Sequence, residues 1–252
     1  MKKTILSAVM LVFACMTASA QLIWEDRFEY APDSRLEGQG GWELGTGKWT
    51  SGYSPKVVDK KLTYPGYIGS DSRCVWIGNT GVNRLTYKTI DKDGLTKGAV
   101  YVAMLINLDS VDGTRDFITF DSGTGNSPKV KIFVRKAGSG FSLGASASSP
   151  DEATFTPGLA FRTTHLVVMK YLFVEPEKGA KVDCNDKIVL YVNPLPDLAE
   201  SKQLPVRFVA QRSEKAADIK DIKAINIRQS GVAGHICGMR VAKSWNAAVK
   251  EN

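Results

Sequence analysis

Several features that mark catalytic, metal-binding or nucleic-acid-binding chains are scarce or missing. Histidine occurs twice in 252 residues, at His165 and His235. No Ser/His/Asp order accompanies a nucleophile-elbow motif, so the common hydrolase arrangement is excluded. Cysteine occurs four times, at Cys15, Cys74, Cys184 and Cys237, and no two stand close enough for a zinc knuckle. Beyond the first twenty residues no apolar run approaches the roughly 18–20 residues that a spanning helix needs. No Gly/Ser-rich or Pro-rich linker divides the chain, and no repeat of fixed period runs through it. The net charge of +7 is dispersed, and its densest basic run, residues 215–223, also holds Asp218 and Asp221. A nucleic-acid binder gathers its basic residues on one face. The charge therefore reads as a solvated surface, with a mild preference for acidic glycans or anionic surfaces left open.

What is present begins with an export signature. Lys2 and Lys3 precede an apolar run over residues 5–14, and Ala18-Ser19-Ala20 supplies the small side chains of a cleavage site. Residues 1–20 are thus expected to be a signal peptide, with Gln21 as the mature N-terminus and residues 21–252 as one domain. Loss of Lys2 and Lys3 takes the net charge from +7 to +5. Val12-Phe13-Ala14-Cys15 loosely resembles a lipobox, so lipidation of Cys15 is the alternative route. Cys74, Cys184 and Cys237 then remain, an odd number in an oxidising compartment. At most one disulfide can form, and any of the three pairings is open. The expected location is the periplasm, the outer-membrane surface or the extracellular space.

Period-two alternation dominates the rest. Residues 99–108 place Val100, Val102, Met104, Ile106 and Leu108 on one side, which predicts a long strand. Residues 129–136 alternate Val130, Ile132 and Val134 with Lys131, Phe133 and Arg135, as a strand with one wet face does. Residues 164–174 form a near-continuous apolar run broken by Lys170 and read as a central strand. Further strands are expected over 187–192, 224–228 and 236–242, with weaker ones over 22–28, 56–60, 73–77, 84–89, 116–120 and 141–145. Asp93-Gly94, Asp112-Gly113, Ser122-Gly123 and Ser139-Gly140 supply turn chemistry between them. The one short helix candidate is 245–250, with Ser244 as N-cap. Residues 215–222 could hold one helical turn. Such spacing predicts an all-β, antiparallel two-sheet sandwich.

Two long stretches, residues 164–194 and 224–246, join WEDRFEY at 24–30 and EGQGGW at 37–42 in resembling a known family. They look like the concanavalin A-like lectin/glucanase superfamily, in the LamG-like jelly-roll branch of secreted bacterial proteins. Ile236, Arg240, Val241, Ser244 and Trp245 match a late strand of that branch, with Cys237 where the family often has Asp. The resemblance implies a jelly-roll sandwich whose last strand returns beside the first. It leaves function open, because this scaffold hosts lectins, glycosidases, lyases and spacers. Its glycosidases carry acidic residues at alternating positions of one strand, aimed into one cleft. No such strand exists here. Glu25 and Asp26, with Glu29 nearby, are adjacent and point to opposite faces. Its lyases need a His and a Tyr beside a Gln or Arg, and neither His165 nor His235 sits in such a pattern.

Two constellations remain. Trp42 and Trp49, followed by Tyr53 in a Gly-rich stretch and by Tyr64 and Tyr67, could stack on the C–H faces of sugars. Trp49 and Tyr53 rank ahead of Trp42, which shares strand spacing with Leu44 and is expected on a buried face. Asp109, Asp112 and Asp121 flank strands in loops, where hard oxygen ligands would hold calcium. Asp91-Lys92-Asp93-Gly94 opens like an EF-hand loop but lacks the downstream Glu. The resulting expectation is an exported, non-catalytic binding or adhesion module, with glycans the leading ligand class and a cell-surface protein the other partner. The rivals are a polysaccharide-active enzyme and a structural subunit of a surface assembly.

Overall fold

The computed structural model describes residues 21–46, 50–78, 83–123, 128–147, 149–176, 178–179, 185–203, 207–210 and 218–250. They form an antiparallel two-sheet jelly-roll sandwich. The strands are β1 (Leu22–Asp26), β2 (Trp42–Leu44), β3 (Thr50–Ser51), β4 (Lys56–Lys61), β5 (Arg73–Ile77), β6 (Asn83–Thr89), β7 (Ala99–Val111) and β8 (Thr114–Asp121). They continue as β9 (Lys131–Ala137), β10 (Gly140–Ser146), β11 (Thr154–Phe155), β12 (His165–Leu172), β13 (Lys187–Val192), β14 (Arg207–Ala210), β15 (Ala224–Gln229) and β16 (Val232–Ala242). The first sheet runs β14-β13-β12-β7-β16-β5-β4, with β1 also on β16. The second runs β11-β10-β9-β8-β15-β6-β2, with β3 also on β6.

The alternation read from sequence sets the layers. Val100, Val102, Met104, Ile106 and Leu108 of β7 meet Ile118, Phe120, Ile132, Val134, Ile225 and Ile227 of the second sheet in one buried core. The other side of β7 is also covered. Tyr101, Ala103 and Leu105 join Leu166, Val168, Val189 and Tyr191 under the helix α1 (Trp245–Val249) and the segment carrying Leu62 and Tyr67. Burial on both faces explains why β12 reads as a continuous apolar run. Ser244 caps α1, its side chain accepting from the amide of Ala247. The turn expected over 215–222 is not helical where described: Ile222 instead bridges Leu95.

The opening and closing segments interlock. Glu25 pairs with Arg240 across β1 and β16, and the Arg240 guanidinium also donates to the Ala247 carbonyl at 3.1 and 3.3 Å. Asp26 points the other way into the core, where it accepts the Trp42 indole N–H at 2.8 Å, the Tyr30 hydroxyl at 2.8 Å and the Phe28 amide at 2.7 Å. Cys74 and Cys237 stand directly opposite each other on β5 and β16 and form the disulfide. Cys184 lies outside the described residues, as do residues 1–20.

Candidate functional site

Because Ile225 and Ile227 face the core, Ala224, Asn226 and Arg228 of β15 face outward. Strand register carries that parity across the second sheet. One outward row runs Glu43, Tyr87, Asn226, Thr119, Lys131 and Ser146, one residue from each of six strands. Five inter-strand gaps make it about 24 Å long. Beside it lie Leu85, Arg228, Asp116, Phe133, Gly144 and Phe155. A register shift in β8 between Asp116 and Ile118 turns both Phe117 and Ile118 into the core and leaves Asp116 outside.

The face is held by specific contacts. The Arg228 guanidinium donates to Asp116 at 2.6 Å and to the Asn83 side-chain oxygen at 3.1 and 3.3 Å. Asn226 Nδ2 donates to Thr119 Oγ1 at 2.8 Å. The Tyr87 hydroxyl donates to Glu43 at 2.7 Å. Burial, that hydrogen bond and the Glu43 charge push the Tyr87 phenol up to about 12, so it is a protonated donor at neutral pH. At the far edge Arg135 stacks over the Phe155 ring at 3.9 Å. The middle of the face is recessed: Asn226, Thr119, Phe133 and Tyr87 are buried, while Glu43 and Arg135 are exposed.

Two acceptors in this recess are not satisfied by any described residue. Asn226 Oδ1 and Asp116 Oδ2 are buried and accept no hydrogen bond, in residues 0% and 9% exposed. An unmet buried acceptor costs about 1–3 kcal/mol, and such groups are met by water or a ligand. Both oxygens lie beneath the outer face, beside Tyr87 and Phe133, and are closed off from its surface. Its carboxylates are not placed for paired acid/base work. Glu43 and Asp116 stand three strands apart, about 14 Å, beyond the roughly 5–9.5 Å of glycosidase pairs. Both histidines belong to the first sheet.

The sequence matches no protein-family model and no curated protein. Solved structures do resemble the fold. The globular domain of T. cruzi calreticulin is similar at a TM-score of 0.50 and 7% identity, over 89% of this chain and 89% of that one. The cellulose-induced protein Cip1 is similar at 0.47 and 15% identity, over 88% and 97%. The alginate lyase Aly36B, in complex with alginate tetrasaccharide, is similar at 0.46 and 10% identity, over 90% and 95%. The likeness to the calreticulin domain is one of fold.

The described aromatic residues expected to form a site, Trp42, Tyr53, Tyr64 and Tyr67, lie in separate places. Trp42 packs in the core against Trp24 and Phe28. Leu44, of the same parity, lies on the edge strand and stays 38% exposed, so the shared buried face expected for the two holds for Trp42 alone. Tyr64 and Tyr67 sit over the first sheet, their hydroxyls donating to the carbonyls of Pro194 at 3.1 Å and Gly238 at 2.5 Å. Tyr53 is 60% exposed, with Arg35 stacked 4.2 Å from its ring centre. It stands two residues beyond Ser51, which pairs with Asn83, so it flanks the Arg228 end of the recess. Trp49 lies outside the described residues.

The calcium ligands separate as well. Strand β7 runs on to Val111, which places Asp109 within a strand instead of a loop. Asp109 pairs with Arg162 at 4.0 Å, and Asp112 with Arg115 at 3.5 Å. Asp112 and Asp121 bracket β8 at opposite ends. Among the described residues no group of three or more His, Cys, Asp or Glu is placed to hold a metal ion. Asp91 makes an Asx turn, accepting the amides of Asp93 and Gly94 at 2.9 Å each. The residues of the recess that sequence reasoning passed over had one signal, the polar positions of alternating strands, such as Asn226 and Arg228 in AINIRQ.

Proposed function

We propose that this chain is an exported, non-catalytic glycan-binding module of the concanavalin A-like kind, and that it holds sugar on the outer face of its second sheet. The observation that carries the reading is the exposed Tyr53 ring beside a polar sheet face whose rim holds Glu43 and the Tyr87 hydroxyl, with the donor-less Asn226 Oδ1 and Asp116 Oδ2 beneath it. Sugars supply hydroxyl donors at their edges and C–H faces for aromatic rings. Tyr53, exposed at the Arg228 end, extends the surface. The wide spacing of Glu43 and Asp116 supports binding over hydrolysis. No helix among the described residues is long and apolar enough to cross a membrane.

A glycan array probed with residues 21–252, with and without EDTA, tests this reading. Binding that survives EDTA is expected. Asn226→Ala and Tyr53→Ala should each keep the fold and weaken the best hit about tenfold, or roughly 1.4 kcal/mol. An array without hits, or unchanged binding by both variants, would sink the proposal. Chain shortening of the bound glycan on incubation would turn the reading to an enzyme.

A further inference from the structure

The opposite face of the sandwich carries a second organised surface. Across the outer side of the first sheet, register aligns Lys56 on β4, Trp76 on β5, His235 on β16 and Asn107 on β7. The row spans three inter-strand gaps, about 14 Å. Trp76 is 39% exposed, although its neighbours Val75 and Ile77 are fully buried. Its indole lies down against Gly78, where an added Cβ would stand 2.9 Å from Cη2 and Cζ3. The ring thus has a backbone floor and a fixed orientation. Beside it, Lys60 approaches His235 Nδ1 at 3.4 Å. Burial and the Lys60 charge hold this imidazole below the usual histidine range, which keeps it neutral at pH 7. Asn107 is 7% exposed, and its side-chain amide makes no hydrogen bond to any described residue.

We propose that the Trp76-His235-Asn107 row is a second carbohydrate site, selective for neutral saccharides and independent of the recess on the other sheet. The platform is a flat ring set in a sheet, with planar polar groups in line with it. That geometry matches a pyranose lying on its C–H face with hydroxyls directed at an imidazole and an amide. Neutrality follows from the cations. Lys56 is already paired with Asp33 at 2.9 Å, and Lys60 is directed at His235. The Asp109 carboxylate, whose charge also reaches His235, offsets the Lys60 ammonium and disfavours a sugar carboxylate there. Two sites on opposite faces make the chain a cross-linker of neutral glycan strands.

Titration of residues 21–252 with cellohexaose, mannohexaose, xylohexaose, chitohexaose and an oligouronate of equal length, followed by calorimetry, decides the matter. At least one neutral hexasaccharide should bind, and Trp76→Ala should weaken it tenfold or more. Trp76→Tyr should restore most of the affinity, and the loss caused by Trp76→Ala should be as large in an Asn226→Ala background, where the recess on the other face is weakened. His235→Ala and Asn107→Ala, each expected to weaken it severalfold, stand in if Trp76→Ala fails to fold. Absence of binding to all four neutral probes overturns the proposal. So does wild-type affinity in Trp76→Ala, or in both replacements, or a Trp76 dependence confined to the oligouronate. Disappearance of the Trp76 effect in the Asn226→Ala background would leave the recess as the sugar site and remove this one.

Discussion

At the residue scale, Asp26 shows how an acidic position near the N-terminus becomes structural. Its carboxylate gathers the Trp42 indole, the Tyr30 hydroxyl and the Phe28 amide inside the sandwich. The aromatic residues of WEDRFEY and EGQGGW are thereby tied together by one buried hub. Trp42→Phe keeps most of the apolar contact and deletes one donor to a buried carboxylate. It should destabilise the fold by about 1–3 kcal/mol, read as a lower urea midpoint, while glycan binding is unchanged. That Trp42 would be buried was legible, since a Trp at strand spacing from an aliphatic residue packs inward. That its partner would be Asp26 was not, because Asp26 precedes it by sixteen residues and sits on the other sheet. Tyr67 and Tyr53 are equally polar-tipped in sequence, yet one is locked to Gly238 and the other stands in solvent.

At the scale of elements, strands were legible wherever alternation ran for five residues or more, and the two-sheet class followed. The short pieces β2, β3 and β11 escaped, because two or three residues carry no period. The rows of side chains across strands escaped for a deeper reason. Glu43, Tyr87, Asn226 and Thr119 lie side by side, but register between strands so distant in the chain is set by core packing and not by any local signal. The segment around Glu200 illustrates a tertiary clamp of the same kind. Glu200 receives the Lys170 ammonium at 2.8 Å and the hydroxyls of Tyr101 at 2.7 Å and Tyr191 at 2.5 Å, pinning its short 3-10 turn to the first sheet. Burial alone would raise its carboxyl, but those hydrogen bonds and the Lys170 charge bring it below its ordinary value. A carboxylate depressed in the folded state adds stability above its unfolded pKa and loses it as pH falls through the folded one. Glu200→Gln should therefore lower the melting temperature clearly at pH 7. The gap to wild type should close as the pH is taken below about 4.5, near the unfolded carboxyl value. An equal gap at pH 7 and pH 3 would show that the clamp is steric.

At the scale of the whole molecule, the first sheet is where the two ends of the chain and its covalent link meet. Strand β16 pairs with β7 on one side and with β5 and β1 on the other, so the last long strand closes the sheet around the first. The Cys74–Cys237 bond fixes that closure, joining positions 163 residues apart directly across β5 and β16. Sequence alone left three pairings open; register chooses this one, since only residues brought face to face on neighbouring strands approach closely enough. A link across so long a loop removes much of the freedom of the unfolded chain. Deleting such a bond costs about 2–5 kcal/mol. The same bond lies beneath α1 and the Tyr67 segment, with both cysteines fully buried. Reductant should therefore act on the folded protein slowly, and on the unfolded protein at once. Unfolding in urea with reductant is expected to move the midpoint down by that margin, and reductant in the absence of urea should leave the native circular dichroism in place for hours. A midpoint unmoved by reductant, together with free thiols at Cys74 and Cys237 in the native protein, would mean that β16 closes the sheet by packing and hydrogen bonds alone.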